Sequence, residues 1–317
     1  MHRKRNFFYT VSLIVLKIGF VGSFLWGVVY VLGATDFSAS LIQYESSLAG
    51  VGEVAGFTSS VPNQPFPSLK YHLIPNNELA YISAKSFVVG DLDTGKIIFS
   101  NDAERSRPIA SISKLMTALV AKEYMSPTGT IFVSKEAKVG QCTSDLKVGN
   151  KIALNDMLYP LLLASDNEAA EAIAITYGRG DFVKLMNAKA SELGLPSMRF
   201  SDPSGLSPKN SANANDLFLF SKYLYENRND IISITKAKRY KIPDHNWVNI
   251  GKFIDDEDYL GGKNGYTDEA GRTIIAIFKE KIGQEYHNIA FVLLDGVDNK
   301  NDIAQLRTFI KKYVETY

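Results

Sequence analysis

The chain has little of the chemistry that metals and disulfides require. Its 317 residues include one cysteine, Cys142, and four histidines. A single cysteine excludes an internal disulfide, and without paired Cys/His spacing a structural zinc site has no ligands. We interpret Cys142 as a small, partly buried residue and not as a catalytic thiol. The sequence therefore predicts no metal site.

The chain also has almost no net charge. It carries 35 Lys and Arg against 34 Asp and Glu, and its basic residues are scattered apart from a cluster at residues 2–5. Nucleic-acid binding needs a basic patch, so nucleic acid is not expected as a partner. An apolar content of 45% in a chain of this length predicts a globular protein of one or two domains.

A long apolar run follows the basic cluster. Residues 7–32 are interrupted only by Lys17 and are long enough to cross the hydrocarbon region as a helix. The lysine costs about 2.5–3.5 kcal/mol, which the apolar side chains outweigh. We therefore expect residues 1–34 to form a cytoplasmic flank and a single-pass membrane anchor, with the rest of the chain outside the cytoplasm. A cleaved signal peptide is the alternative, but residues 32–34 make a poor cleavage site.

Two further regions follow the predicted anchor. Residues 35–77 are rich in Ser, Gly and Pro without a sustained period, which predicts a flexible linker. Residues 78–317 form the predicted folded domain.

The folded domain mixes strand and helix patterns. Two β-rich runs, 84–92 and 96–100, are joined by Asp-Thr-Gly and predict a hairpin. Periodic apolar residues predict helices at 111–124, 155–163, 167–177, after Asp216 and at 302–314, with strands at 273–278 and 287–294. Strands at both ends predict an α+β fold in which one sheet, with edges from distant parts of the chain, carries a helical subdomain.

The first chemical motif is Ser-Ile-Ser-Lys at 111–114. At the start of a helix, residues i and i+3 share a face, so the Ser111 hydroxyl and the Lys114 amine are expected to meet. The pattern also occurs at 144–147 and 233–236, but only Ser111 opens a strongly predicted helix. The ordinary alternative is an N-cap serine beside a solvated lysine.

Two more motifs follow in order. Ser-Asp-Asn at 165–167 and Lys-Asn-Gly at 263–265 supply a second serine, an amide and a cation beside a glycine. Each has an ordinary alternative: an N-cap loop for the first, which Ser-Ala-Asn at 211–213 also fits, and a solvated hairpin for the second. Taken together with 111–114, the set predicts three walls of one cleft equipped for acyl transfer.

Residues 107–119, 161–170 and 262–271 resemble the three active-site segments of the serine D-alanyl-D-alanine carboxypeptidases, the low-molecular-mass penicillin-binding proteins. The resemblance extends from residue 81 to the C-terminus and includes Asp-Pro-Ser-Gly-Leu at 202–206. It implies a β-lactamase/transpeptidase-like fold, with an antiparallel sheet flanked by helices and a helical subdomain. It also implies peptidoglycan stem peptides and β-lactams as partners, and no cofactor or metal.

The same resemblance implies catalytic roles for Ser111, Lys114 and Ser165. Lys114, kept neutral by burial and nearby positive charge, would accept the proton of Ser111, which attacks the carbonyl between two D-alanines. Ser165 would pass a proton to the departing D-alanine. The N–H groups of Ser111 and Tyr266 would stabilise the oxyanion.

The implied substrate-binding residues are Asn167, Lys263, Asn264, Gly265 and Tyr266. Asn167 would orient the peptide, and Lys263 would provide a positive field near the terminal carboxylate. The family usually has threonine where this chain has Asn264. We expect the Asn264 amide, helped by Thr267 or Arg272, to bind that carboxylate from a different distance.

Four functions fit these motifs. A carboxypeptidase is favoured, because the chain ends soon after the last catalytic strand and has no second large domain. An endopeptidase that cuts D-alanyl cross-links shares every catalytic residue. A class A β-lactamase needs a further carboxylate, and the candidate Glu192 lacks the expected asparagine partner. A catalytically weak wall-binding protein is the fourth possibility, because of Asn264.

Overall fold

The computed structural model describes residues 71–73, 81–140 and 145–316. The predicted anchor at 7–32, most of the predicted linker and Cys142 lie outside these residues. None of the helices in the described part of the chain combines the length and apolarity needed to span a bilayer.

The elements are numbered in chain order. The helices are α1 (Ser113–Tyr124), α2 (Leu154–Leu162), α3 (Asn167–Tyr177), α4 (Arg179–Glu192), α5 (Ala214–Asn227), α6 (Asn229–Lys236) and α7 (Asn299–Tyr313). The strands are β1 (Tyr71–Leu73), β2 (Ser86–Asp91), β3 (Ile97–Asn101), β4 (Arg107–Pro108), β5 (Thr130–Phe132), β6 (Lys151–Ala153), β7 (Ser211–Ala212), β8 (Arg239–Ile242), β9 (His245–Val248), β10 (Tyr259–Thr267), β11 (Gly271–Ile282), β12 (Glu285–Gly296) and β13 (Val314–Thr316).

A five-stranded antiparallel sheet has the order β10-β11-β12-β2-β3. The predicted β2–β3 hairpin is confirmed, and Gly95 takes the positive φ of 74° that its tight turn requires. The chain leaves β3 at one edge, passes through α1 to α6, and returns at β10, the other edge. The prediction that distant parts of the sequence supply the two edges is therefore confirmed.

The two faces of the sheet pack against different partners. Ile275 and Ile277 of β11 belong to a core shared with the helices α1 to α6, whereas Ile274, Ala276 and Phe278 belong to a core shared with α7. This follows from the strand geometry, since successive side chains point to opposite faces. Because β10 pairs with β11, each motif residue of β10 faces the same side of the sheet as the β11 residue opposite it.

The predicted helices are largely confirmed, and the differences lie at their ends. The segment predicted as helix at 111–124 begins with a short 3-10 turn, Ala110–Ile112, before α1. Helix α3 has the predicted bounds, and α2 accommodates Pro160. Helices α4 and α6 were not predicted.

One expectation needs correction. Tyr71–Leu73, placed in the predicted linker, forms β1 and pairs with β13, so the folded part begins before residue 78. Strand pairing with the C-terminal end of the chain cannot be read from local composition. Lys-Asn-Gly at 263–265 lies within the nine-residue strand β10 with Lys263 buried, so the ordinary alternative of a solvated hairpin is wrong.

Candidate active site

Ser111 and Lys114 lie where the 3-10 turn Ala110–Ile112 passes into α1. The Nζ atom of Lys114 lies 2.9 Å from Oγ of Ser111. Lys114 is fully buried, whereas Ser111 is partly exposed. The hydroxyl is therefore the member of the pair that solvent reaches.

Lys114 also donates to Oδ1 of Asn167 at 2.8 Å and to the carbonyl oxygen of Ser204 at 2.6 Å. These two oxygens can only accept hydrogen bonds, so each of them uses one N–H bond of the Lys114 amine. A neutral amine has two N–H bonds and one lone pair, and the third contact is a hydroxyl, which can donate. Lys114 Nζ donates to Ser111 Oγ in this structure, and in the neutral form of Lys114 the lone pair is available to accept the Ser111 proton instead.

A second serine–lysine pair comes from two other elements. Lys263 of β10 donates from Nζ to Oγ of Ser165 at 2.8 Å and to the carbonyl of Asn264 at 2.8 Å. Ser165 lies between α2 and α3 with a φ of 57°, and the next residue, Asp166, caps α3 by accepting from the N–H of Ala169 at 2.7 Å. The sharp turn before this capped helix fixes the position of the Ser165 hydroxyl.

The two lysines are close enough to affect each other. Burial lowers the pKa of Lys263 well below its ordinary value of 10.5, and the charge of Lys114 lowers it further. Lys263 is 3% exposed and Lys114 is fully buried. The positive charge of Lys114 and the burial of Lys263 therefore both disfavour the protonated form of Lys263.

Gly265 brings β10 against the backbone of the nucleophile. A Cβ on Gly265 would lie 2.7 Å from the nitrogen of Ser111 and 2.7 Å from Oγ1 of Thr273. Only glycine allows this approach. Tyr266, whose N–H the resemblance assigns to the oxyanion site together with that of Ser111, is the next residue of β10.

The loop at 202–205 supplies contacts to which the sequence analysis assigned no role. The carboxylate of Asp202 accepts hydrogen bonds from the N–H groups of Ser204 at 2.8 Å and Gly205 at 2.6 Å. This turn presents the Ser204 carbonyl to Lys114. The Asp-Pro-Ser-Gly composition predicts a turn, but a main-chain acceptor leaves no signal in the sequence.

Asn264 faces the opposite side of the sheet from Lys263. In the register, Asn264 stands opposite Ile274, and Lys263 stands opposite Ile275. Asn264 therefore points to the side covered by α7, where it shares a cavity of about 470 Å³ with Tyr266 and Arg272. Arg272, one of the two residues expected to help Asn264 bind the substrate carboxylate, thus lines the same cavity as Asn264.

The other copies of the motifs that lie in the described part of the chain have different partners. Ser233 is exposed on α6 and donates to Oδ1 of Asn229 at 3.0 Å. Asn213 caps α5 by accepting from the N–H of Asp216 at 2.7 Å. Glu192, the lactamase candidate, pairs with Lys189 at 2.8 Å. Ser144 lies outside the described residues.

One cluster has the composition of a metal site. Ligand atoms of Asp91, Asp93 and His287 lie within 4.8 Å of one another. The Asp91 carboxylate already accepts from the hydroxyls of Tyr71 at 2.6 Å and Thr94 at 2.8 Å, and Asp93 accepts from β12. Because protein donors satisfy these oxygens, the cluster is explained as a hydrogen-bonded turn.

The antiparallel sheet, the helical subdomain and the two serine–lysine pairs define an enzyme equipped for serine acyl transfer. The chain belongs to the D-alanyl-D-alanine carboxypeptidase family of serine peptidases, whose sequence profile matches residues 74–295. The resemblance drawn from the motifs is thereby confirmed. The family comprises penicillin-binding hydrolases of peptidoglycan.

Three comparisons describe the relationship. The chain is 32% identical over 247 residues to a D-alanyl-D-alanine endopeptidase of Escherichia coli, covering 73% of this chain and 78% of the relative. It is 30% identical over 223 residues to the D-alanyl-D-alanine carboxypeptidase DacF of Bacillus subtilis, covering 64% of this chain and 56% of the relative. A solved D-alanyl-D-alanine carboxypeptidase from Mycobacterium tuberculosis shares the fold, with a TM-score of 0.67 and 24% identity. The match covers 75% of this chain and 94% of that structure.

Proposed function

We propose that the chain is a penicillin-sensitive peptidoglycan DD-peptidase that acts through an acyl-enzyme on Ser111. The observation that carries the proposal is the 2.9 Å contact between a fully buried lysine and a serine that solvent reaches. In the proposed reaction, Ser111 Oγ attacks the carbonyl carbon of D-alanine and its proton passes to Lys114. The N–H groups of Ser111 and Tyr266 stabilise the oxyanion.

The remaining steps involve Ser165, Asn167 and Lys263. The C–N bond breaks, and the departing amine takes a proton delivered through Ser165, which Lys263 contacts at 2.8 Å. Asn167 orients the bound peptide and holds Lys114 in place. Water then releases the acyl group, and Ser111 regains its proton.

We further propose that the carboxylate of the departing residue binds to Asn264 and Arg272. Both line the cavity beside β10, and Arg272 has no carboxylate within 4.0 Å among the described residues. The amide can donate from its NH₂ group where the family has a threonine hydroxyl. Unchanged peptide hydrolysis and acylation rates in Asn264→Thr would contradict this role.

We propose cross-link cleavage as the preferred reaction and removal of terminal D-alanine as the second candidate. The relative named an endopeptidase matches over 78% of its length, whereas the relative named DacF carboxypeptidase matches over 56%. The second candidate is favoured by the family profile, which carries the carboxypeptidase name.

The test uses the full chain with two substrates. A pentapeptide precursor and a cross-linked dimer are each incubated with the enzyme, and free D-alanine and monomer release are measured. We expect faster turnover of the dimer, and loss of both reactions in Ser111→Ala. Rapid hydrolysis of penicillin with neither peptide cut would instead indicate a β-lactamase.

The location of the enzyme is also a proposal. We infer that residues 7–32 anchor the chain in the cell membrane with residues 78–317 on the extracytoplasmic side, where peptidoglycan is found. Recovery of a variant lacking residues 2–34 in the membrane fraction would contradict this assignment.

A further inference from the structure

The cavity beside β10 extends past the proposed carboxylate site. It has a volume of about 470 Å³ and begins at Asn264 and Gly265, the residue that lies against the nitrogen of Ser111. From there it continues toward the N-terminal end of α7. A free D-alanine ends at its own carboxylate, so it would leave this part of the cavity empty.

Cations predominate in the walls of the cavity. Lys252, Arg272 and Lys300 line it, and its one acidic lining residue is Asp298, which caps α7 by accepting from the N–H of Asn301 at 3.2 Å. Lys252 and Lys300 are exposed and have no carboxylate within 4.0 Å in the described part of the chain. The excess of positive charge favours an anionic ligand.

The position of the cavity next to the proposed carboxylate site indicates which part of a substrate would enter it. Asn264 is proposed to hold the carboxylate of the departing residue, so atoms that reach Lys252 and Lys300 belong to whatever follows that residue. In a cross-linked dimer the departing residue continues into a second stem peptide, which carries at least a terminal carboxylate of its own.

We propose that this cavity binds the departing stem peptide of a cross-link, with Lys252 and Lys300 recognising its carboxylate. The two lysines are then specificity-determining residues for cross-link cleavage and play no part in bond breaking. The inference rests on the proposed DD-peptidase function and deepens it by naming the leaving group.

The test compares the Lys252→Gln/Lys300→Gln double variant with a control that loses the same charge, Lys281→Gln/Lys312→Gln. Lys281 lies at the far end of β11 from Arg272, about 30 Å away at the rise of a strand. Full-length proteins are assayed with the cross-linked dimer, with the same dimer amidated on the departing strand, and with a pentapeptide. Acylation by a fluorescent penicillin reports the integrity of the Ser111 site.

We expect the first double variant to lower the ratio of dimer to pentapeptide kcat/KM about two- to thirty-fold, which is the combined contribution of two exposed ion pairs. Wild type should cut the amidated dimer more slowly than the unmodified dimer, by a similar factor. Added salt should reduce the difference in dimer cleavage between wild type and the double variant. The control should keep the wild-type ratio.

An unchanged ratio, or an equal loss in both double variants, would overturn the inference while penicillin acylation persists. Absence of Ser111 acylation in wild type would instead contradict the proposed DD-peptidase function. The two failures are therefore distinguishable.

Discussion

Gly205 lies directly against the carbonyl group of Ala110, the residue before the nucleophile. A Cβ on Gly205 would lie 1.9 Å from the Ala110 oxygen and 3.0 Å from the nitrogen of Ser111. Ala110 itself has a φ of 47°, which costs a residue other than glycine about 1–2 kcal/mol. The loop at 202–205 thus holds the backbone of the nucleophile in a strained conformation.

Gly205→Ala should therefore disturb both stability and acylation. The matched control is Gly194→Ala, because Gly194 has a φ of 68° and nothing within 4 Å of a Cβ. The control should lose about 1–2 kcal/mol of unfolding free energy in urea and keep its acylation rate. Gly205→Ala should lose more and acylate penicillin more slowly. Equal stability losses with equal acylation rates would contradict the role of this contact.

Lys114→Gln tests the proposed proton acceptor. Loss of a general base costs about 10²–10⁴ in rate, so the second-order rate of penicillin acylation, measured by stopped flow, should fall within that range. Lys122→Gln is the control on the same helix, since Lys122 pairs with Asp230 at 2.9 Å. Acylation of Lys114→Gln at the wild-type rate would exclude the lysine as the base.

The lowered pKa of Lys263 predicts a pH dependence of stability. Because the unfolded chain binds this proton up to its ordinary pKa of 10.5 and the folded chain releases it earlier, the contribution of Lys263 to stability should rise with pH between the two values. The slope should approach about 1.4 kcal/mol per pH unit. Urea unfolding of wild type and Lys263→Gln from pH 7 to 10 measures it. Parallel curves would contradict the lowered pKa.

The sequence predicts much of this site because its chemistry is local. The spacing of Ser111 and Lys114 places both groups on one helical face, and the turn at Ser165 precedes a helix whose bounds follow from its apolar period. The order of the three motifs predicts one cleft, and the structure brings Ser111, Lys114, Ser165, Asn167 and Lys263 together.

Other parts of the site depend on long-range packing. The Ser204 carbonyl that holds Lys114 is a main-chain group 90 residues away, which no side-chain pattern reports. The side of the sheet that Asn264 faces follows from the register of β10 with β11. The glycine-rich sequence of β10 is typical of a turn, so the strand itself was not predicted. Helix α6 was missed for a different reason, since its eight residues are too few for a clear period.

Covalent labelling at Ser111 tests the central claim most directly. The full-length chain is incubated with penicillin, and intact mass and peptide mapping locate the adduct. We predict one penicilloyl group per chain, on Ser111, and none in Ser111→Ala. No adduct, or an adduct on another serine such as Ser144 or Ser233, would contradict the account.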